Sequence, residues 1–313
     1  TGQNGLGDGN STHGILVENS ASTIIGGAAP GERNVIAGNP LSGISLVGLG
    51  GVGSMILGNL IGLNATGSLN IGGTQVGVSI ASPGVILGGD SPSAGNVISG
   101  HRIGVLIDPI SGFGATIQGN LIGTSADGSS DVGNREAGIL LNGAGMAGAT
   151  ASSPLRILGN VISGNGDAFN NGYGIRLLGP AATAAVIAGN FVGTNKSGSM
   201  AIGNSFVGIS LEAGARNVVI GGSTAADRNI ISGNGTLINQ GSGILIEGQS
   251  TSGNRVLGNL IGTSPTGMAV ANNVVGVRIE NAPGNTVGGP NQADGNIISG
   301  NTFVGVMIFG VNA

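Results

Sequence analysis

Short aliphatic segments separated by glycine-rich turns recur along the whole chain. A strand signal of the form glycine, aliphatic, variable, aliphatic begins ten times, at Gly14, Gly43, Gly77, Gly104, Gly138, Gly174, Gly208, Gly243, Gly276 and Gly305. Alternating apolar and variable positions are typical of a β-strand with one buried face. In the copy GVSI, Val78 and Ile80 are therefore predicted to face the core, and Ser79 to face outward.

Two further strand signals follow within each complete repeat. The second ends in glycine, as in TIIGG and SMILG, and the third begins with asparagine, as in NVIAG and NLIG. Strands this short are not stable alone, so each must pair with its equivalents in the neighbouring repeats. The pairing is parallel because every repeat runs the same way round. At about 4.8 Å per coil, ten coils would form a rod roughly 45 to 50 Å long.

The pattern thus predicts an all-β fold, a parallel β-helix (β-solenoid) of about ten coils of three short strands. We expect it to be right-handed, because crossovers between parallel strands nearly always are. Residues 1–313 are predicted to form a single β-solenoid domain. Its interior should contain an aliphatic column from the third place of each asparagine-led strand, at Ile36, Ile61, Ile98, Ile122, Ile162, Val192, Ile231, Ile261 and Ile298.

The loops predict that coils alternate in kind. Third strands of even coils run into a longer loop that contains a turn (NATG, SADG, NKSG, SPTG), whereas most odd coils carry a six-residue excursion before the asparagine (AAPGER, DSPSAG, STAADR, PNQADG). Coil 5 lacks the excursion and instead has insertions at 142–154 and 166–172. If one coil has a specialised role, we expect it to be this one. Phe169 and Tyr173 fall together there, and we interpret them as a loop cap rather than as a small binding spot.

Asparagine opens the third strand in nine consecutive coils. If these side chains point inward at a corner, each amide can donate a hydrogen bond to the amide one coil away, as in the ladders of stacked parallel sheets. Such a ladder would satisfy the polar groups of the bend without water. The predicted members are Asn34, Asn59, Asn96, Asn120, Asn160, Asn190, Asn229, Asn259 and Asn296.

Composition excludes several classes of function. Charged residues make up 8% of the chain, the formal net charge is −4 and cysteine is absent, which argues against nucleic-acid binding, disulfides and thiolate metal sites. No apolar run approaches the length of a membrane span, so no membrane insertion is expected. The two histidines, His13 and His101, form no catalytic triad or zinc motif. His101 stands where other odd coils have asparagine, so we interpret it as a corner substitute.

The repeats resemble the right-handed parallel β-helices of the pectin-lyase-like superfamily. They are most similar to the NVISGN and GNLIGTNATG repeats of very large secreted or surface proteins of bacteria. The resemblance spans the whole chain and implies the fold and a secreted or cell-surface bacterial location more firmly than any activity. Enzymes of this superfamily cleave or epimerise acidic polysaccharides, which makes a carboxylate cluster on an outer strand face worth locating.

One candidate cluster lies just after the first strand of three consecutive coils, at Glu212, Glu247 and Glu280. The carboxylates are expected near 5 Å apart, with Arg176 and Arg278 on the same outward face. Such a set could act on acidic polysaccharide as a lyase or hydrolase, and could bind Ca²⁺. We favour the alternative, a solvated face whose glutamates are offset by arginines, with no catalytic residue, no metal and no other cofactor.

The leading hypothesis is a structural rod: a stalk, adhesin shaft or self-assembling filament subunit. An open solenoid exposes unpaired strand edges, so we expect either end-to-end self-association or continuation within a longer chain. The opening TGQNGLGDGN aligns with the even-coil loop TGSLNIGGTQ, which implies a coil before Thr1. Loops would contact polysaccharide or a cell surface. The alternative hypothesis is a polysaccharide lyase or hydrolase that uses the glutamate cluster with Arg278.

Overall fold

The strands of the computed structural model lie in three parallel sheets. The structure describes residues 9–29, 31–71, 75–144, 153–167, 172–235, 241–270, 272, 274–311 and 313. Each strand pairs only with its equivalents one coil before and one coil after, so sequence neighbours never pair with each other. We number the coils by the strand that each contributes to the first sheet, sheet I.

Sheet I has the longest strands. They are His13–Glu18, Ser42–Val47, Val76–Ala81, Ile103–Ile107, Ala137–Asn142, Tyr173–Leu178, Val207–Glu212, Ser242–Glu247, Val275–Glu280 and Val304–Phe309. Sheet II has shorter strands, Ile24–Gly26, Met55–Leu57, Ile86–Gly88, Thr116–Gln118, Arg156–Leu158, Val186–Ala188, Val219–Gly221, Arg255–Leu257 and Thr286–Val287.

Sheet III consists of two-residue strands. They are Val35–Ile36, Leu60–Ile61, Val97–Ile98, Leu121–Ile122, Val161–Ile162, Phe191–Val192, Ile230–Ile231, Leu260–Ile261 and Ile297–Ile298. Three short 3₁₀ turns lie in the corners, at Pro180–Ala182, Ala225–Asp227 and Gln292–Asp294. Within the described ranges no helix is long and apolar enough to cross a membrane.

This architecture confirms the predicted all-β parallel β-helix, and its right-handed sense rests on the connection rule. Sheet I has ten strands while sheets II and III have nine each. The described chain therefore makes nine complete coils and the first strand of a tenth, so the predicted number of about ten is slightly high. The difference arises because the last strand signal, at Gly305, has no second or third strand after it.

A continuous aliphatic core fills the space between the sheets. Val78 and Ile80 are fully buried and Ser79 is partly exposed, as the alternation predicts. The predicted column in sheet III is also present: its members from coils 2 to 8 are fully buried, whereas Ile36 and Ile298 lie near the ends and are slightly more accessible. Because the core is continuous from one coil to the next, stability depends on the stack and not on any single coil.

A second apolar layer covers the outside of sheet III, which the sequence analysis did not predict. The loops of even coils form small hairpins closed by antiparallel bridges, such as Leu63 with Asn70. Leu60 points outward but is fully buried under this loop, where Gly67 lies beside its side chain. Leu60, Leu63 and Val97 form a cluster separate from the core. The repeated turn of the even coils is thus a hydrophobic cover.

Candidate functional site: two amide ladders and an outer carboxylate row

The predicted asparagine ladder lies at the corner between sheets II and III. Asn120 shows the pattern: its Nδ2 donates to Asn160 Oδ1 at 3.0 Å and its backbone N–H donates to the same oxygen at 2.9 Å. Its Nδ2 also donates to the carbonyl of Leu87 in the preceding coil at 2.9 Å. Equivalent amide-to-amide bonds run from Asn34 to Asn296. Every interior amide is fully satisfied without water.

The glycine before the ladder asparagine has a steric reason. Gly119 has φ +67°, a left-handed conformation that side chains other than glycine rarely adopt. A Cβ atom there would also overlap the carbonyl oxygen of Gly89. In the repeated GNLIG segment, glycine therefore makes the corner and asparagine seals it.

A second ladder lies at the corner between sheets III and I. Asn165 Nδ2 donates to Asn204 Oδ1, and Asn204 Nδ2 donates to Asn234 Oδ1, each at 2.8 Å. The same bond type continues through Asn272 to Asn301 and also joins Asn10 to Asn39. The sequence showed asparagine at this position in the odd coils other than that of His101, but the members in even coils were not predicted, because they stand at the ends of long loops. A Gly-Asn dipeptide, at 133–134 and 203–204, is the signal that could have found two of them, whereas Asn272 follows Ala271.

This second ladder explains most of the glycines that begin the sheet I signals. A Cβ atom at Gly174 would lie 2.5 Å from the carbonyl oxygen of Gly208 and 2.8 Å from Asn204 Nδ2. The same crowding against an amide nitrogen recurs at Gly138 and Gly208. The glycine column and the asparagine column are therefore two halves of one packed corner.

His101 occupies an asparagine position of the second ladder, as its interpretation as a corner substitute predicted. It is fully buried. Its backbone N–H donates to Asn134 Oδ1 at 3.1 Å and its Nδ1 lies 3.3 Å from the same oxygen. Burial lowers the pKa of the imidazole to about 4, against a smaller opposing effect of the hydrogen bond with Asn134.

The predicted carboxylate row lies on the outer face of sheet I. The strand register pairs Glu212 with Glu247 and Glu247 with Glu280 on successive coils. Arg176 binds Glu212 with two hydrogen bonds, Nε to Oε1 at 3.0 Å and Nη2 to Oε2 at 2.8 Å. Arg278 Nη2 donates to Glu280 Oε2 at 2.6 Å. Two of the three carboxylates are thus held by arginine.

Glu247 lies between these two ion pairs and is largely, but not fully, exposed. Partial burial raises the pKa of its carboxyl group, and repulsion by Glu280 and Glu212 adds to the increase. A raised carboxyl pKa is expected in a row of like charges. Structural charge networks raise such pKa values as readily as active sites do.

Aromatic side chains anchor one end of this row. The guanidinium carbon of Arg176 lies 4.3 Å from the centre of the Tyr173 ring, and Phe206 packs edge-on against the same ring at 5.4 Å. These contacts place Tyr173 on the face of sheet I, where it supports Arg176. The insertion residues 145–152 and 168–171, including Phe169, lie outside the described residues.

Because arginines pair with two of the three carboxylates in the outer row, few free groups remain there for catalysis or metal binding. Across the described ranges, no group of three or more His, Cys, Asp or Glu side chains is arranged to hold a metal ion. The structure brings Glu212, Glu247, Glu280 and Arg278 together on one face, and the arginines neutralise most of the charge there. This arrangement is suited to a charge-balanced surface.

The solved structures that are similar to this chain have low sequence identity and low TM-scores. The periplasmic alginate epimerase AlgG is similar over 95% of this chain and 47% of that chain, with 13% sequence identity and a TM-score of 0.44. The chain thus spans about half the length of that enzyme. The TibC-catalysed hyper-glycosylated TibA fragment is similar over 94% of this chain and 100% of that chain, with 11% identity and a TM-score of 0.18. No family model and no curated protein matches the chain. The fold assignment rests on the strand pairing.

Proposed function

We propose that this chain is a structural β-helical rod. The observation that carries the proposal is the asparagine ladder that joins nine consecutive coils by the same amide-to-amide bond. A fold that repeats one polar corner at every level gains stiffness along its axis, because each coil is hydrogen-bonded to both of its neighbours. The arginine pairing of Glu212 and Glu280 also supports a structural surface over a reactive one.

We further propose that the rod belongs to a secreted or cell-surface protein of bacteria, as a stalk, adhesin shaft or filament subunit. The support for this location is the resemblance of the repeats to those of large bacterial surface proteins. Exposed loops on alternate coils would then contact polysaccharide or other cell-surface material.

The exposed apolar edge at coil 10 favours a partner of the same architecture, whose coil would stack on it. Val306 and Ile308 occupy the register of the core residues Val277 and Ile279. They are nevertheless 39% and 57% exposed, whereas Val277 is fully buried and Ile279 nearly so. A further coil, from a second copy or from a longer chain, would cover this apolar edge and pair its backbone groups.

Electron microscopy of the purified chain at increasing concentration tests this proposal. Rods about 45 Å long are expected, given about 4.8 Å per coil, and end-to-end association should lengthen them as concentration rises. Ile308→Lys should stop the lengthening, because it places a charge on the stacking edge. Leu69→Lys is the matched control, since Leu69 is similarly exposed but lies on a lateral hairpin. Compact globular particles would contradict the rod itself, whereas rods of constant length would exclude only self-association.

The alternative function, processing of acidic polysaccharide at the outer carboxylate row, has a separate test. Depolymerisation of uronate polymers would be measured for the natural chain and for Glu247→Ala. The rod proposal expects no turnover by either protein. Turnover that disappears with Glu247→Ala would establish the enzyme and reject a purely structural role.

A further inference from the structure

His101 stands beside a discontinuity in the second ladder. Asn39 Nδ2 donates to the carbonyl of Ala37 in its own coil at 3.1 Å. The position of coil 2 that aligns with Asn134 is Gly73, which lies outside the described residues and carries no amide side chain. The ladder bond between asparagine side chains therefore cannot pass from Asn39 through coil 2 to coil 3. His101 is the first ladder residue after this break.

The imidazole of His101 is satisfied on only one side. Asn134 Oδ1 is an acceptor, so His101 Nδ1 carries the proton in that contact and Nε2 is left unprotonated. Nε2 is buried and has no hydrogen-bond partner among the described residues. The ring edge packs against the backbone of Gly62 in coil 2, where a Cβ atom would overlap it. Protonation would create an N–H donor with nothing to receive it.

Among the residues that the structure describes, no unpaired charge of opposite sign packs against this imidazole. Residues 34–89, which include all of coil 2, contain no charged side chain. On coil 4, Asp131 accepts from the backbone of Gly133, and Glu136 is paired with Arg102. Arg135, also on coil 4, and Arg102 carry the same sign as an imidazolium. Burial lowers the pKa of His101 and the hydrogen bond with Asn134 opposes part of that change, with no contribution from a charged group.

We propose that the junction between coils 2 and 3 is an acid-sensitive break point of the rod. When His101 is protonated, the charge and the unpartnered N–H can be hydrated only if the coils around it open. Coils 1 to 3 therefore open as the pH falls, while coils 6 to 9, joined by unbroken asparagine ladders, stay closed. The break point is confined to this junction and does not depend on whether the rod is a stalk or a filament.

The direction and size of the effect follow from proton linkage. An opened coil exposes an imidazole of ordinary pKa 6.5, whereas the closed coil has a pKa of about 4. The open form therefore binds the proton more tightly, and opening becomes more favourable as pH falls from 6.5 to 4. The opening constant should rise by up to about tenfold per pH unit between these two values, towards a limit of about 300-fold well below pH 4.

Hydrogen exchange resolved by mass spectrometry tests this break point. Peptides covering the strands Ser42–Val47 and Val76–Ala81 would be compared with peptides covering Val207–Glu212 and Ser242–Glu247, at pH 7 and pH 4.5, after correction for intrinsic exchange rates. We expect protection to fall by at least tenfold more in the first pair. An equal change in both pairs would overturn the proposal.

His101→Asn should abolish the difference, because asparagine is the residue at this position in the rest of the ladder. His13→Asn is the control: His13 lies at the partly exposed start of sheet I, with Nδ1 2.5 Å from Ser42 Oγ, and this variant should retain the acid response. Persistence of the response in His101→Asn would overturn the proposal.

A measurement on the natural chain does not depend on any variant folding. The chain has only two histidines, so their ring protons give two readily assigned NMR signals. The His101 signal should remain that of a neutral imidazole down to about pH 4.5 and then lose intensity as the junction opens. Ordinary titration of both signals near pH 6.5 with full retention of the fold would contradict the proposal.

Discussion

Both corners that border sheet III are joined from coil to coil by asparagine ladders, but only one of the two ladders is regular. At the corner with sheet II, asparagine stands directly before a strand in all nine coils, and the ladder is unbroken from Asn34 to Asn296. At the corner with sheet I, the ladder asparagines follow loops of variable length, coil 2 has Gly73, and His101 replaces an amide. Regular spacing in sequence produced the continuous ladder, while variable loops allowed an interruption.

The comparison shows where a repeat fold can tolerate variation. A ladder amide is bonded to the coil before and the coil after, so a change in one coil leaves unsatisfied groups in both neighbours. The corner between sheets III and I is also the place where long loops leave the rod. Insertion there lengthens a loop at small entropic cost, but it risks displacing the ladder residue that follows.

The largest expected effect comes from removing an interior amide of either ladder. Asn160→Leu removes the acceptor of two Asn120 donors and the side-chain donors to the carbonyl of Ile117 and to Asn190 Oδ1, which keeps only its bond from the backbone N–H of residue 160. At 1–3 kcal/mol for each unsatisfied buried group, partly relieved by relaxation, unfolding free energy should fall by about 3 to 6 kcal/mol. Urea unfolding followed by circular dichroism would measure it. Surface binding should be unaffected.

The same experiment at Asn204 compares the ladders directly. Asn204 also accepts two hydrogen bonds and donates two, so Asn204→Leu should cost as much as Asn160→Leu. Asn34→Leu is the control, because Asn34 is exposed at the first coil and should cost about 1 kcal/mol. An unchanged melting temperature for Asn160→Leu would refute the ladder as a source of stability. A much smaller cost at Asn204 would show that the interrupted ladder is the weaker one throughout.

Packing of glycine against the second ladder gives the next largest effect. The Cβ atom of Gly174→Ala would lie 2.5 Å from the Gly208 carbonyl oxygen, so the coils must separate locally, at a cost of about 2 to 3 kcal/mol. Gly159→Ala is the matched control: Gly159 has φ +61° but no atom within 4 Å of the added Cβ, so only backbone strain of about 1 kcal/mol applies. Thermal unfolding of both variants would separate crowding from strain. Equal losses would mean that the ladder does not fix the spacing at this corner.

The cover over sheet III is expected to contribute less than either ladder. Leu121 points outward and is partly buried against a cluster that includes Val97. Leu121→Ala should lower the unfolding free energy by about 1 to 2 kcal/mol, because only part of its apolar area is shielded. Its neighbour Ile122 is fully buried in the core, and Ile122→Val provides a comparison at about 1 kcal/mol per lost methyl group. A negligible effect of Leu121→Ala would show that the hairpins lie on the sheet without stabilising it.

Sequence reasoning reached the first ladder and missed the second for a physical reason. Asparagine at a fixed place before a strand needs only the period-two rule to be placed at a corner, as for Asn120. Asn134 and Asn204 end loops, and their position depends on how those loops fold back. Similarly, strand alignment predicted the register of Glu212 with Glu247, whereas the choice of Arg176 for Glu212 depends on side-chain rotamers and on the ring of Tyr173. Predicting the hairpin cover would have required knowing that outward-facing aliphatic side chains such as Leu60 are shielded from solvent.

The smallest expected effect lies on sheet I, away from both ladders. The pKa of Glu247 is raised in the folded protein, so the fold favours the protonated carboxyl group and loses stability as pH rises above the ordinary glutamate value. Glu247→Gln should therefore stabilise the rod at pH 7 and have no effect at pH 3.5. Because the side chain is exposed, the gain should remain below about 1 kcal/mol.

Glu280→Gln is the matched control for this row, since it removes a carboxylate that Arg278 already balances. It should give no gain at pH 7, and thermal unfolding at the two pH values would compare the variants. A loss of stability in Glu247→Gln at pH 7 would mean that Glu247 has an attractive role in the row. The row would then be held together as a network, instead of as two ion pairs with one repelled carboxylate between them.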